Sequence, residues 1–105
     1  MFVSIRKYHN VVSVDEVKKR TQQEFLPLLQ KNPGFRGYHL VDCHSPESGN
    51  IVTSISMFDS WESALASNDA AKAFVKKRLS DLLPDPAQAV GGEVILSSEQ
   101  KSSPR

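Results

Sequence analysis

The stretch NPGFRGYHL, residues 32–40, runs from a turn directly into an alternating segment. Proline is common just past the end of a helix, and glycine permits the positive φ that turns a chain back on itself. A helix is therefore expected to end before Asn32 and a strand to begin after Gly34. Alternation carries that strand to about residue 43, with Phe35, Gly37, His39, Val41 and Cys43 on one face and Arg36, Tyr38, Leu40 and Asp42 on the other. Gly37, inside the strand, marks a close approach to the sheet.

Working outward toward the N-terminus, Ser13 and Glu16 form a capping box, and Val14, Val17, Thr21, Phe25 and Leu28 recur at helical spacing over residues 14–30. Pro27 lies in that window and lacks one intrahelical donor, so a kink or distorted last turn is expected. Residues 2–9 alternate as a first strand, with Phe2, Ser4, Arg6 and Tyr8 opposite Val3, Ile5 and Lys7.

Toward the C-terminus, the turn formers of residues 44–50 connect to a third strand, 51–58. Asp59 or Ser60 caps a second helix that begins with Trp61, Ala64 and Leu65. Asn68-Asp69 reads as a break and a fresh cap before a stripe of Ala71, Phe74, Val75, Arg78, Leu79 and Leu82, ended by Pro84 and Pro86. Gly91-Gly92 leads to an expected fourth strand over 93–97, and residues 98–105 read as a disordered polar tail.

Strand, helix, strand, strand, helix, strand is the α+β ferredoxin-like βαββαβ order: one domain over residues 1–97, a four-stranded antiparallel sheet with both helices on one face. Apolar residues occur on both faces of the strands, although the helices cover only one. The predicted consequence is a homodimer with two sheets packed face to face.

The composition narrows the function. Among 105 residues, 13 Lys and Arg face 12 Asp and Glu, a net charge of +1, so no nucleic-acid partner is expected. Lys18-Lys19-Arg20 and Lys76-Lys77-Arg78 fall in helical patterns and read as solvated faces rather than phosphate sites. The single cysteine, Cys43, excludes an internal disulfide and a thiolate zinc cluster. With no apolar run near the roughly 20 residues a membrane span requires, and no signal-like start, a soluble cytoplasmic protein without a membrane partner is expected. His9, His39 and His44 do not converge on a metal set, and no glycine-rich phosphate loop or dinucleotide fingerprint occurs.

Residues 32–40, followed by Met57-Phe58-Asp59-Ser60-Trp61-Glu62-Ser63-Ala64, resemble the antibiotic biosynthesis monooxygenase (ABM) domain of the dimeric α/β-barrel superfamily, over roughly residues 2–97. That family has a "PGF-x-G" turn opening the second strand and an aromatic before a Trp-containing helix start. The resemblance implies a two-chain barrel with a ligand pocket between each sheet and its helices. Its activities include cofactor-independent oxidation of phenolic polyketides or quinols, and haem degradation. The haem-degrading branch needs Asn, Trp and His at positions that fall on Arg6, Ser67 and Lys77 here, so haem cleavage is disfavoured.

A monooxygenase without flavin or metal uses its substrate as reductant. Deprotonating a phenol or hydroquinone gives an anion that can pass an electron to dioxygen, so the site needs a base, a donor for the anion and a dry aromatic box. His39 is the candidate base, Arg6 the candidate phenolate partner, and Tyr8, Trp61 and Phe74 the candidate walls for a small apolar or aromatic ligand, with no cofactor. The competing readings are a hydrogen-bonded strand histidine, an Arg6 ion pair with Asp42 or Glu93, and Trp61 and Phe74 as core. The alternative function is a non-catalytic ligand-binding or regulatory module using the same cleft.

Overall fold

The computed structural model describes residues 1–44 and 49–98. Four strands, β1 (Phe2–Tyr8), β2 (Phe35–Cys43), β3 (Ile51–Phe58) and β4 (Gln88–Glu93), form one antiparallel sheet in the order β2-β3-β1-β4. Between β1 and β2 run α1 (Val14–Arg20), a π turn (Thr21–Phe25) and α2 (Leu26–Gln30) as one continuous helix. Between β3 and β4 lie α3 (Trp61–Phe74) and a second π turn (Val75–Leu79). The α+β ferredoxin-like expectation is met.

Both helix starts follow the local sequence. Ser13 Oγ accepts the Glu16 N–H at 3.2 Å, and Ser60 Oγ accepts the Ser63 N–H at 3.2 Å. The Glu16 carboxylate does not reach back to the cap; it accepts from Arg20 Nε at 3.1 Å. Pro27 acts one turn upstream of the position expected. A proline ring collides with the carbonyl four residues before it, and the wider π turn, in which Leu26 N–H bonds Thr21 O, separates the two. The extra residue also shifts the apolar stripe, so Leu29 is 2 % exposed while Leu28, expected in the core, is 49 % exposed.

No break occurs at Asn68-Asp69: α3 continues through both residues, because the Asn68 side chain is turned toward the sheet rather than onto its own backbone. The core lies between the helices and the sheet, with Phe58, Val52, Tyr8, Phe25, Leu29 and Phe74 among its members. Phe25 and Phe74 stack at 5.1 Å, joining the two helical segments.

Residues 32–40 and 57–64 pack directly on each other. Asn32 Nδ2 donates to Ser63 O at 3.1 Å, Asp59 N–H donates to Gly34 O at 2.8 Å, Arg36 pairs with Asp59, and the rings of Phe35 and Phe58 meet edge-on at 6.1 Å. Gly34 is required for space rather than for a positive φ, since a Cβ there would strike the Ser63 side chain. A bulge between Phe35 and Gly37 corrects the predicted faces: Phe35 joins Tyr38, Leu40 and Asp42 toward the helices. Gly37 stays on the far face, where the neighbour its hydrogen admits is the Met57 methyl.

β4 also differs from expectation. It spans Gln88–Glu93, with Gly91 and Gly92 inside it, and the pairing ends at Phe2↔Glu93. One further bond joins Val94 N–H to Met1 O at 2.8 Å, and Ile95 and Leu96 beyond it are almost fully exposed. Most of the predicted tail, and of the turn at residues 44–50, lies outside the described residues.

The sheet face away from the helices carries Val3, Ile5, Ile55, Met57, Val41 and Val90, brought together by the registers Ile5↔Ile55, Ile5↔Val90 and His39↔Ile55. Val41 and Val90 are exposed on this face, and no helix among the described residues lies over it. No helix among the described residues is long and apolar enough to cross a membrane.

Candidate functional site

Alternation along β1 sends Arg6 and Tyr8 toward the helices, and there Arg6 is 8 % exposed. Its Nε donates to Tyr8 Oη at 2.9 Å and one terminal nitrogen donates to Asn68 Oδ1 of α3 at 2.6 Å. Among the described residues no carboxylate lies within ion-pair distance of it, so neither Asp42 nor Glu93 is its partner. A guanidinium has five N–H donors, and the other terminal nitrogen has no hydrogen-bond partner among the described residues. No fully buried side-chain nitrogen or oxygen among the described residues is unpaired. That nitrogen is therefore accessible, and the surface it reaches is a cavity of about 390 Å³ between the end of α3 and the loop before β4.

The cavity has apolar walls from Tyr8, Val75, Leu83, Pro84, Pro86 and Ala87, with Lys72 and Lys76 from the α3 side and Asp85 from the loop. Asp85 sits between two prolines, which stiffen the loop. Its Oδ2 accepts from Asn10 Nδ2 at 2.6 Å, and Asn10 has a left-handed backbone, φ 55°. A cation at the floor, a carboxylate at the side and apolar walls suit an aromatic ligand that carries an anionic oxygen.

Two further spaces share this side of the sheet. A narrow gap of about 30 Å³ among Tyr8, Phe25, Phe74 and Tyr38 leads toward a cleft of about 310 Å³ between α1 and β2, lined by Leu26, Tyr38, Leu40 and Asp42. Burial pushes the Tyr38 hydroxyl well above the usual tyrosine range; the nearby Tyr8 adds to this and a hydrogen bond with Ser54 opposes it. Tyr38 is thus a neutral phenol at any physiological pH.

Of the sequence candidates, Arg6 and Tyr8 come together. Phe74 is a core residue stacked on Phe25 and borders only the narrow gap. Trp61 is half-exposed at the start of α3, 5.8 Å from the Phe2 ring, and lines a separate groove of about 160 Å³ with Ala89 and Gly91. His39 is not brought to Arg6: it is exposed on the opposite face of the sheet, paired in register with Ile55. Asn68, Lys72, Lys76 and Asp85 are the residues that sequence reasoning missed. The signals available were the Pro-Asp-Pro run and the four-residue spacing that puts Asn68, Lys72 and Lys76 on one helix face.

The positions tied to haem degradation hold Arg6, Ser67, whose Oγ donates to Ala64 O at 2.8 Å, and Lys77 on the second π turn. None is a neutral nitrogen ligand for iron. Among the described residues no three His, Cys, Asp or Glu side chains converge.

No family model matches the chain, and no curated protein matches it either. Solved structures do. A variant of MhuD with two manganese protoporphyrin IX molecules bound per active site superposes with a TM-score of 0.70 at 18 % identity, covering 95 % of this chain and 100 % of that one. The fold is that of the ABM-domain monooxygenases. A Bacillus cereus protein described as a candidate antibiotic biosynthesis monooxygenase gives 0.68 at 14 % identity, covering 97 % and 98 %. The monooxygenase ActVA-Orf6 of Streptomyces coelicolor, in complex with the ligand nanaomycin D, gives 0.62 at 21 % identity and 92 % of each chain. At these identities the likeness to the ABM-domain structures is one of fold.

Proposed function

We propose that the protein is a cofactor-independent monooxygenase of a phenol or quinol, bound in the 390 Å³ cavity with its oxygen on the free edge of Arg6. The observation that carries this reading is the buried guanidinium with no carboxylate partner among the described residues and one nitrogen open to an apolar-walled cavity. Leaving a buried cation without a counter-charge is costly, and an anionic ligand supplies one. Arg6 then stabilises the phenolate, the apolar walls hold the ring, and Asp85 is the proton acceptor in place of His39. The anion passes an electron to dioxygen, so no separate reductant is needed. The ABM fold, and a neighbour of that fold holding nanaomycin D, support a ligand of this size and type.

The active unit is a homodimer in which the apolar outer faces of two sheets cover each other, and His39 belongs to that interface. Non-catalytic binding is the second reading, favoured by His39 lying outside the cavity. An oxygen electrode separates the two. Flavin- and metal-free protein is expected to consume oxygen with a hydroquinone or anthrone, and Arg6→Met is expected to lower kcat/KM by about two to three decades, the cost of removing an oxyanion donor. Binding of the quinol without oxygen consumption would establish the second reading instead.

A further inference from the structure

Charges around the Arg6 cavity exceed what one phenolate requires. Arg6, Lys72 and Lys76 face a single carboxylate, Asp85, leaving two positive charges uncompensated. Lys72 and Lys76 are four residues apart and follow one edge of the cavity from the last turn of α3 into the second π turn. Neither lysine has a carboxylate partner among the described residues. On the opposite flank, by contrast, Arg20 is held by Glu16 and Asp81 and Arg78 by Glu24. The two arginines that bridge the helices are neutralised, and Lys19 and Lys77 beside them share a flank with three carboxylates, whereas Lys72 and Lys76 share the cavity edge with Asp85 alone.

We propose, resting on the functional reading above, that Lys72 and Lys76 form a carboxylate-recognising subsite and that the substrate is an aromatic acid, a phenol or quinol carrying a carboxylate. Two anionic groups on one ring system match the two uncompensated charges. The phenolic oxygen goes to the buried, geometrically fixed Arg6, and the carboxylate goes to the exposed ammonium groups at the mouth. Exposed ammonium groups interact through a screened field, so the contribution of each is modest and depends on salt.

The test compares hydroquinone, 2,5-dihydroxybenzoate and the methyl ester of that acid, by calorimetric binding to the full chain and by oxygen uptake. The acid is expected to bind roughly three- to tenfold tighter than its ester at low salt, the sum of two rim interactions. That preference should fade at high salt and shrink toward unity in Lys72→Met/Lys76→Met, a change at exposed positions that leaves the core intact. Acid and ester binding equally, or a preference that survives in the double variant, would overturn the subsite. Inorganic phosphate binding as tightly as the acid would overturn the aromatic-acid assignment in favour of a simple anion site. If none of the three ring compounds binds or is turned over, it is the functional reading that has failed, a result distinguishable from the others.

Discussion

Replacing Arg6 by methionine separates a ligand-binding arginine from a structural one. Methionine keeps the length of the stem and removes the charge. On the debit side, the substitution removes the hydrogen bonds to Tyr8 and Asn68, each contributing about 0.5–1.5 kcal/mol. Both acceptors stay within reach of water, since Asn68 is half-exposed and Tyr8 lines the cavity, so most of that loss is recovered. Against it stands relief from desolvating a cation that has no ion pair, several kcal/mol for a fully buried ion and reduced here to about 2 kcal/mol because one edge stays open to water. The expected net effect is a gain of about 1 kcal/mol, a rise in Tm of about 4–8 °C for a domain of this size. Urea and thermal unfolding of both proteins at one fixed concentration, which holds any association constant, give the number. A loss of more than about 2 kcal/mol would refute the reasoning, because Arg6 would then be retained for the fold and its free edge would say nothing about a ligand.

Two other outcomes are expected. Tyr38 has a folded-state pKa raised above its unfolded value near 10, so the stability it contributes is complete below pH 10 and is lost as pH rises toward the folded value. Urea midpoints between pH 9 and 11.5 should fall more steeply for the natural chain than for Tyr38→Phe, and parallel slopes would contradict the buried placement. Ile55→Asp puts a carboxylate in the middle of the outer face beside Ile5 and His39, where burial against a second copy costs several kcal/mol. Sedimentation should show the natural chain as a dimer and the variant as a monomer of unchanged secondary structure; a natural chain that sediments as a monomer would remove the sheet-to-sheet interface.

Residues 32–40 were legible because several local demands coincide there. Asn32, Gly34 and Phe35 each answer to a partner in the second motif, at Ser63, Asp59 and Phe58, so turn chemistry and tertiary packing select the same residues. Caps at Ser13 and Ser60 were legible for the same reason. What alternation could not show was the bulge after Phe35, which inserts one residue and flips a side chain, or the π turn before Pro27, which moves the buried stripe from Leu28 to Leu29. The pairing of Arg6 with His39 failed on a similar point. Their strands are separated by β3, and the bulge fixes Tyr38, not His39, on the helix side.

The misplacement of β4 has a packing cause. A strand is recognised by apolar residues on the face that something covers, and α3 packs mainly over β1 and β3, touching β4 chiefly through the Trp61 ring at its first residue. Ala89, opposite Arg6, is exposed on the helix side of the sheet, and Gly91 lies against the Val3 carbonyl and the Trp61 ring. Larger side chains at these positions would make β4 read as a strand; at Ala89 one would also intrude on the space that Arg6 lines, and at Gly91 one would press on the Trp61 ring. The small residues that hide β4 from a periodicity argument are the ones that keep these spaces open. The greasier run after it, Val94-Ile95-Leu96, attracted the strand assignment although it lies beyond the register, which ends at Phe2↔Glu93.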